Sequence, residues 1–449
     1  MRDRRFFSSA LRYSCIFAAL SLGVATAVFL SVALGANIAI AAPDVDGSNA
    51  PKAGLKRAGV ASGATLGQLV ANRGGVPSAL IGDAPPIEPV EVFLNRSGDI
   101  VLSTMPNFQS EVEGQYASIS SQRHMAFYSL DSKLQSFVAD LVKRADAPHV
   151  AIVAMEPETG KVLALAQKSS SISNLALHAG FPAASLFKVV TTAAAIERSR
   201  VSPDAMIRYR GGTYVLERWN YLPDPKRDRN VMSLREALGK SCNAVFGRVA
   251  LNHLNTGVLK NYSRAFGFNQ PLRFEVVLPR SDAEIPDDSY GLSRTAAGFG
   301  DVKISPIHAA TLMSGIANDG KMPRPLLVDK VLGPSGAVLY RSKPEVLQQM
   351  VEAGTSRVLL DMMRSTTTTG TSRKEFMLKN RPVLGAINVA AKTGTLRGDS
   401  PKGLNHWFIA AAPTNNPKIA LSIIVVDPRS SRARASRLGR LMIEKYLKG

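Results

Sequence analysis

The chain has 449 residues, of which 45% are hydrophobic and 20% charged, a composition typical of globular proteins that excludes a wholly disordered chain. Its 55 Lys and Arg residues outnumber 35 Asp and Glu residues, for a net charge of +20. These basic residues are scattered and accompany no nucleic-acid-binding motif, so we expect no nucleic-acid partner. The two cysteines and six histidines lack metal-binding spacing, so we expect neither a metal site nor a cofactor.

The N-terminal end predicts a membrane-targeting segment. Residues 1–12 form a basic tail, and the 30 positions of residues 13–42 carry no charge. A spanning helix needs about 20 apolar residues, whereas the apolar core of a cleavable signal peptide has about 7–15. The length therefore predicts an uncleaved anchor with a cytoplasmic tail and everything after it exported. Ala39-Ile-Ala-Ala42 before Pro43 resembles a signal-peptidase site, so a cleaved, exported form stays open.

Two short segments follow the apolar run. Residues 43–90 are rich in Ala, Gly, Pro and Ser, which predicts a flexible linker. Residues 91–147 predict a small β module or stalk, with a hairpin formed by residues 90–94 and 100–102, and then a helix to about Lys143. So few residues cannot bury much core, and we expect this module to pack against the domain that follows.

Residues 148–449 predict the main domain. Two strands, 149–155 and 161–166, flank the turn Glu156-Pro-Glu-Thr-Gly160, where Pro and Gly suit the backbone angles of a turn. Three further strand-like runs, 388–395, 406–412 and 418–426, precede a closing helix at about 431–447. Strands at both ends with helices between them predict an α/β (α+β) fold, with one antiparallel sheet covered by helices.

The most informative motif is Ser185-Leu-Phe-Lys188. The run after Ser185 lacks Gly and Pro, so Ser185 should lie at or near a helix N-terminus. Lys188 is then one turn further on the same face, where its amine can reach the serine hydroxyl. Because burial can lower a lysine pKa, Lys188 can serve as the base that activates Ser185 as a nucleophile.

Two companion motifs follow in order, Ser241-Cys-Asn243 and Lys392-Thr-Gly-Thr395. We expect Ser241 and Asn243 on a loop after a short helix capped by Ser233, with Ser241 relaying a proton and Asn243 holding a substrate amide. The second companion should end an edge strand. There Gly394 would let substrate backbone approach, while Lys392, Thr393 and Thr395 would offer charge and donors to a carboxylate.

This ordered set resembles the motifs of penicillin-binding proteins and serine β-lactamases, and the resemblance covers about residues 128–449. It implies a D,D-peptidase/β-lactamase-like fold with an all-helical subdomain, and an oxyanion hole formed by the backbone amides of Ser185 and Thr395. It also implies peptidoglycan D,D-transpeptidase activity on D-Ala-D-Ala stem peptides, inhibition by β-lactams, and a catalytic domain outside the bacterial cytoplasmic membrane, in contact with other cell-wall synthesis proteins. Relatives often carry a glycosyltransferase or pedestal domain, for which residues 43–127 are too few.

Other activities of the same fold stay open at this point. A D,D-carboxypeptidase would use water as its acceptor, and a β-lactamase would need an activated water. Class A β-lactamases obtain that water through a Glu followed four residues later by Asn, a pattern missing between Asn243 and Lys392. A non-catalytic penicillin sensor or scaffold is the alternative from a different class of protein.

Overall fold

A computed structural model describes residues 87–95, 98–427 and 434–449, and these described residues belong to one compact unit. The predicted basic tail (1–12), the predicted anchor (13–42) and the linker up to residue 86 lie outside the described residues. Within the described ranges, no helix combines the length and the apolar character that crossing a bilayer requires.

The strands, in chain order, are β1 Glu88–Pro89, β2 Val92–Leu94, β3 Ile100–Leu102, β4 Glu111–Val112, β5 Gln115–Ile119, β6 Met125–Tyr128, β7 His149–Met155, β8 Val162–Lys168, β9 Phe181–Pro182, β10 Met206–Tyr209, β11 Asn230–Ser233, β12 Lys303–Ile304, β13 Lys321–Pro323, β14 Val328–Leu332, β15 Val338–Arg341, β16 Val346–Gln349, β17 Met377–Leu378, β18 Arg381–Pro382, β19 Ala390–Asp399, β20 Lys402–Ala412 and β21 Ile419–Asp427. The helices are α1 Ser132–Arg144, α2 Phe187–Ser199, α3 Leu234–Lys240, α4 Asn243–His253, α5 Thr256–Ala265, α6 Ser289–Ala296, α7 Pro306–Ala317, α8 Ala353–Met363, α9 Ser365–Thr368, α10 Arg373–Phe376 and α11 Ala435–Lys448.

The central sheet is antiparallel, in the order β19-β20-β21-β7-β8. Every residue of β7 and of β21 is buried, as expected for strands covered on both faces. One face packs on α1 and α11, and its core includes Val150 and Ile152. The other face packs on α7, and its core includes Ala151 and Val153. The predicted fold class, a sheet from both ends of the domain with helices on both faces, is confirmed.

A helical layer carries the first two motifs. Helix α2 is buried from Phe187 to Ala195 and packs against α4, α5 and α8. Ser233 caps α3 by accepting a hydrogen bond from the Glu236 amide, as predicted from its capping sequence. Both helices that carry motif residues are therefore fixed by burial or by a cap, which holds their ends in place.

A second sheet has the order β1-β5-β6-β14-β15. Strand β6 pairs antiparallel with β14, so that Ala126 lies opposite Val331. The predicted hairpin is present as β2 and β3, where Phe93 lies opposite Val101. Strands from the segment predicted as a stalk thus share a sheet with strands from the main domain.

The boundaries of one predicted strand and of the predicted closing helix differ from those in the structure. Strand β19 continues to Asp399, four residues beyond the predicted end at Thr395, because its pairing with β20 runs on to Lys402. Helix α11 begins at Ala435, and residues 431–433 of the predicted helix lie outside the described residues.

Candidate active site

Ser185 lies in a 3₁₀ turn, residues Ala184–Leu186, that leads directly into α2. The prediction of a position at a helix N-terminus is therefore confirmed to within one turn. The turn packs against β19, since a Cβ atom at Gly394 would lie 3.3 Å from the Cβ atom of Ala184. This contact joins the segments that carry Ser185 and Thr395, whose amides we predicted to form an oxyanion hole, and both residues line the same cleft.

Lys188 is fully buried, and its amine lies 2.9 Å from the hydroxyl oxygen of Ser185. It also donates to the side-chain oxygen of Asn243 at 2.7 Å and to the carbonyl oxygen of Ala297. Burial lowers the pKa of the Lys188 amine from 10.5 to about 7, because the charged form is disfavoured away from water. A neutral amine has two hydrogens and one lone pair. Asn243 and Ala297 accept the two hydrogens, which leaves the lone pair for the Ser185 proton.

Lys392 is also fully buried, and it donates to the Ser241 hydroxyl oxygen at 2.9 Å and to the Thr393 carbonyl oxygen at 2.8 Å. Burial first, and the charge of Lys188 second, lower the pKa of Lys392 well below its usual value. Because Lys392 donates to Ser241, the proton of the Ser241 hydroxyl is free to point elsewhere. The Lys392 amine does not reach the surface, so it acts on the site through Ser241.

Ser241 and Asn243 occupy two different structural positions. Ser241 is the C-cap of α3, with left-handed backbone angles. Asn243 is the first residue of α4, not part of a loop as predicted. The side-chain nitrogen of Asn243 donates to the Tyr214 carbonyl oxygen at 2.7 Å. This bond orients the side-chain oxygen of Asn243 toward Lys188. The helix start was missed because Cys242, the N-cap residue, offers no side-chain cap.

The third motif lies in the first half of β19, which is the edge strand of the central sheet. Burial alternates along the strand: residues Lys392 and Gly394 are buried, whereas Thr393 is half-buried and Thr395 is exposed. Since the amine of Lys392 is buried, the hydroxyls of Thr393 and Thr395 are the motif's side-chain donors toward solvent.

Gly298 and Ala297 also contribute to the site. Gly298 has φ +90°, and a Cβ atom there would overlap the carbonyl oxygen of Ala184 and lie 2.9 Å from the amide nitrogen of Ser185. Only glycine fits this contact without strain. It lets the backbone carrying the Ala297 carbonyl approach the nucleophile turn closely enough to accept from Lys188.

Thr371 was also missed. Its hydroxyl lies 2.6 Å from that of Thr393, and it lines the same cleft as the three motifs. A single threonine in a connecting segment leaves no pattern that a sequence can reveal.

The motif residues converge on one open cleft of about 650 Å³. The described residues that line it are Ala184, Ser185, Tyr214, Ser241, Asn243, Ala297, Gly298, Phe299, Thr371, Thr393, Gly394, Thr395, Leu396, His406, Trp407, Arg434, Ala435 and Ser436. Lys188 and Lys392 lie directly beneath this surface. No cluster of metal-ligating side chains occurs among the residues that the structure describes. Trp407 is buried and donates to the Pro182 carbonyl oxygen.

This arrangement suits acyl transfer. It provides a serine with a lysine of lowered pKa, a second serine that can pass a proton, and hydroxyl donors for an anion on an edge strand. The fold and the site together define a serine–lysine acyl-transferring enzyme.

A model of the penicillin-binding protein transpeptidase domain matches residues 150–442. The chain belongs to this family. It is 29% identical over 340 residues to the peptidoglycan D,D-transpeptidase PbpA of Mycobacterium tuberculosis, covering 67% of each chain. It is 28% identical over 341 residues to PbpA of Mycolicibacterium smegmatis, covering 66% of this chain and 67% of the relative.

Solved structures show the same fold. Penicillin-binding protein A from M. tuberculosis, as its imipenem acyl-enzyme complex, superposes with a TM-score of 0.59 at 27% identity, covering 74% of this chain and 80% of that one. The penicillin G acyl-enzyme complex of the same protein gives a TM-score of 0.58 at 27% identity, with 74% and 81% covered.

Proposed function

We propose that this protein is a peptidoglycan D,D-transpeptidase that cross-links stem peptides through an acyl-enzyme on Ser185 and is inhibited by β-lactams. The observation that carries the proposal is the hydrogen-bond network in which Lys188, with a pKa of about 7, holds Ser185 and Asn243 together. Two comparisons support it: the relatives named above are D,D-transpeptidases, and the similar structures are β-lactam acyl-enzymes.

In the acylation step, neutral Lys188 takes the proton of Ser185, and the serine oxygen attacks the carbonyl carbon of the D-Ala-D-Ala bond. The backbone amides of Ser185 and Thr395 stabilise the oxyanion, a contribution of about 3–4 kcal/mol for each donor in comparable sites. Ser241 gives its proton to the departing nitrogen and regains one from Lys392. The C–N bond breaks, and D-alanine leaves.

In the second step, an amine of a neighbouring stem peptide attacks the ester. Its proton passes to Ser241 and Lys392, while the Lys188 ammonium returns a proton to the Ser185 oxygen as the C–O bond breaks. Each lysine thus ends in its starting state. Before the first step, Thr393 and Thr395 hold the terminal carboxylate of the donor and Asn243 orients its peptide bond, and both groups are released with D-alanine.

One observation favours transfer to an amine over rapid hydrolysis. No Asp or Glu occurs among the described residues that line the cleft, so this surface offers no carboxylate to activate a water. The test below distinguishes the proposed function from three alternatives: a D,D-carboxypeptidase, a β-lactamase, and a non-catalytic penicillin sensor or scaffold.

We place the catalytic domain outside the bacterial cytoplasmic membrane, held by residues 13–42 as a single span, with a cleaved and exported form as the alternative. The charge-free length of that segment supports the anchor. Other cell-wall synthesis proteins are the partners expected for such an enzyme.

The full-length protein and a Ser185→Ala control are incubated with fluorescent penicillin, and covalent label is followed over hours. We expect stable label that requires Ser185. Label lost within minutes indicates a β-lactamase, and no label on folded protein indicates a scaffold. A D-Ala-D-Ala donor is then supplied with and without an acceptor amine. Cross-linked product supports the transpeptidase, whereas hydrolysed product alone indicates a carboxypeptidase. Stable label without any product indicates a sensor.

A further inference from the structure

Thr371 lies where the second and third motifs meet. It belongs to the bridging segment, residues 365–372, which contains α9 and connects α8 to α10. The amide of Thr371 donates to the Gly239 carbonyl oxygen on α3 at 3.1 Å, two residues before Ser241. Its hydroxyl lies 2.6 Å from that of Thr393 on β19. One residue therefore joins the helix that ends at Ser241 to the strand that carries Thr393.

The bridging segment is fixed at several points. The Ser365 hydroxyl oxygen lies 3.1 Å from the Arg235 carbonyl oxygen, and the Thr367 hydroxyl oxygen lies 2.9 Å from the Val389 carbonyl oxygen, just before β19. Gly370 packs on the α3 backbone so closely that a Cβ atom there would overlap the Gly239 carbonyl oxygen. These contacts hold Thr371 at a set distance from β19, so its hydroxyl is positioned before any substrate arrives.

The direction of the Thr371–Thr393 hydrogen bond follows from what Thr393 has to do. A hydroxyl has one proton and can both donate and accept. When an anion binds to Thr393, that proton goes to the anion, because hydrogen bonds to charged acceptors are the stronger ones. The Thr393 oxygen must then accept from Thr371.

We propose that Thr371 is a positioning residue for substrate carboxylate: it donates to Thr393 and thereby turns the Thr393 proton into the cleft. This inference rests on the proposed transpeptidase function. It assigns Thr371 a role in recognising the anionic end of the donor and none in the proton transfers at Ser185.

The test uses two D-alanyl thioesters that differ only in the end of the leaving group, which is a carboxylate in one and a carboxamide in the other. Thiol release by the full-length protein gives kcat/KM for each. We expect wild type to prefer the carboxylate. Thr371→Val should lose about tenfold on the carboxylate and be nearly unchanged on the carboxamide, while Thr371→Ser should keep the preference.

Two controls isolate the mechanism. Thr369→Val removes an exposed hydroxyl of the same segment that donates only to the Ser365 carbonyl oxygen in the described structure, and it should leave both rates unchanged. In a Thr393→Val background, Thr371→Val should have no further effect, because Thr371 acts through Thr393.

Other outcomes overturn the inference. An equal loss on both thioesters assigns Thr371 a structural role only, and unchanged rates or a loss that persists without Thr393 remove the proposed role. Poor folding does not hide the result, since the ratio of the two kcat/KM values is independent of the active fraction. If wild type releases no thiol and binds no penicillin, the proposed function and this inference both fail.

Discussion

Gly298 lies against Ala184 so closely that no side chain fits between them. A Cβ atom on Gly298 would overlap the Ala184 carbonyl oxygen and come within 2.9 Å of the Ser185 amide nitrogen. The nucleophile turn and the backbone that supplies an acceptor to Lys188 are therefore in direct contact, and the geometry of each depends on the other.

Gly298→Ala should abolish most acylation of Ser185. The change forces the nucleophile turn to move, in addition to the cost of about 1–2 kcal/mol for a side chain at positive φ. Gly336→Ala is the matched control, because Gly336 has φ +83° and nothing within 4 Å of the added Cβ. It should lower the melting temperature slightly and leave the penicillin acylation rate unchanged. Equal acylation by the two variants would contradict the role of the contact.

The rate of acylation by penicillin should rise with pH through about 7. The pKa of Lys188 is about 7, and only its neutral form can take the Ser185 proton; below that pH the lone pair is occupied. Stopped-flow measurement of the second-order acylation constant between pH 5 and 9 checks this. Lys188→Arg, which keeps a cation but cannot lose its proton in this range, should be inactive throughout. A flat profile in the wild type argues against Lys188 as the base.

Ser241→Ala should slow reactions in which an amine leaves much more than reactions in which a thiolate leaves. Ser241 is placed to protonate the departing nitrogen, and an amine needs that proton whereas a thiolate does not. General acid catalysis is typically worth about a hundredfold or more. Comparing kcat/KM for a peptide and for a thioester with the same acyl group measures the difference. Equal losses on both substrates would point to a structural effect of Ser241.

Glu275→Gln should stabilise the fold, and more so at pH 8 than at pH 5. Glu275 is fully buried, it accepts from the Leu327 amide at 3.1 Å, and burial raises the pKa of its carboxyl from 4.5 to about 7. The folded state therefore holds a proton that the unfolded state has lost between these values, and the free energy of unfolding falls as pH rises through them.

The increase in the free energy of unfolding caused by Glu275→Gln should reach at most about 3 kcal/mol above pH 7. Urea unfolding of both proteins at pH 5 and pH 8 gives the comparison. A gain that does not grow with pH rules out titration of Glu275 as its source.

The sequence predicted the positions of the three motifs because their spacing and order carry the signal. The spacing put Lys188 one turn after Ser185, and the pattern around Lys392 indicated an edge strand. It could not predict the carbonyl of Ala297 as an acceptor, since any residue supplies a carbonyl and only the fold decides which one meets Lys188. The same holds for Thr371, which reaches Thr393 through packing between segments far apart in the chain.

Local signals also misled at two points. The predicted strand ended at Thr395, yet β19 continues to Asp399 because β20 supplies backbone partners as far as Lys402. Asn243 follows a residue without a capping side chain, so the start of α4 is set by burial against its neighbours, a tertiary effect that sequence spacing does not record.

The pairing of β6 with β14 has a consequence for how the chain is made. Ala126 meets Val331, which is synthesised 205 positions later, so β6 keeps an open edge while the intervening segment is made. Contacts between distant positions slow folding, and an open edge invites pairing with other chains. We therefore expect the nascent chain to need protection until residue 332 has emerged, and a fragment that begins at residue 148 to leave β14 with the same unpaired edge permanently.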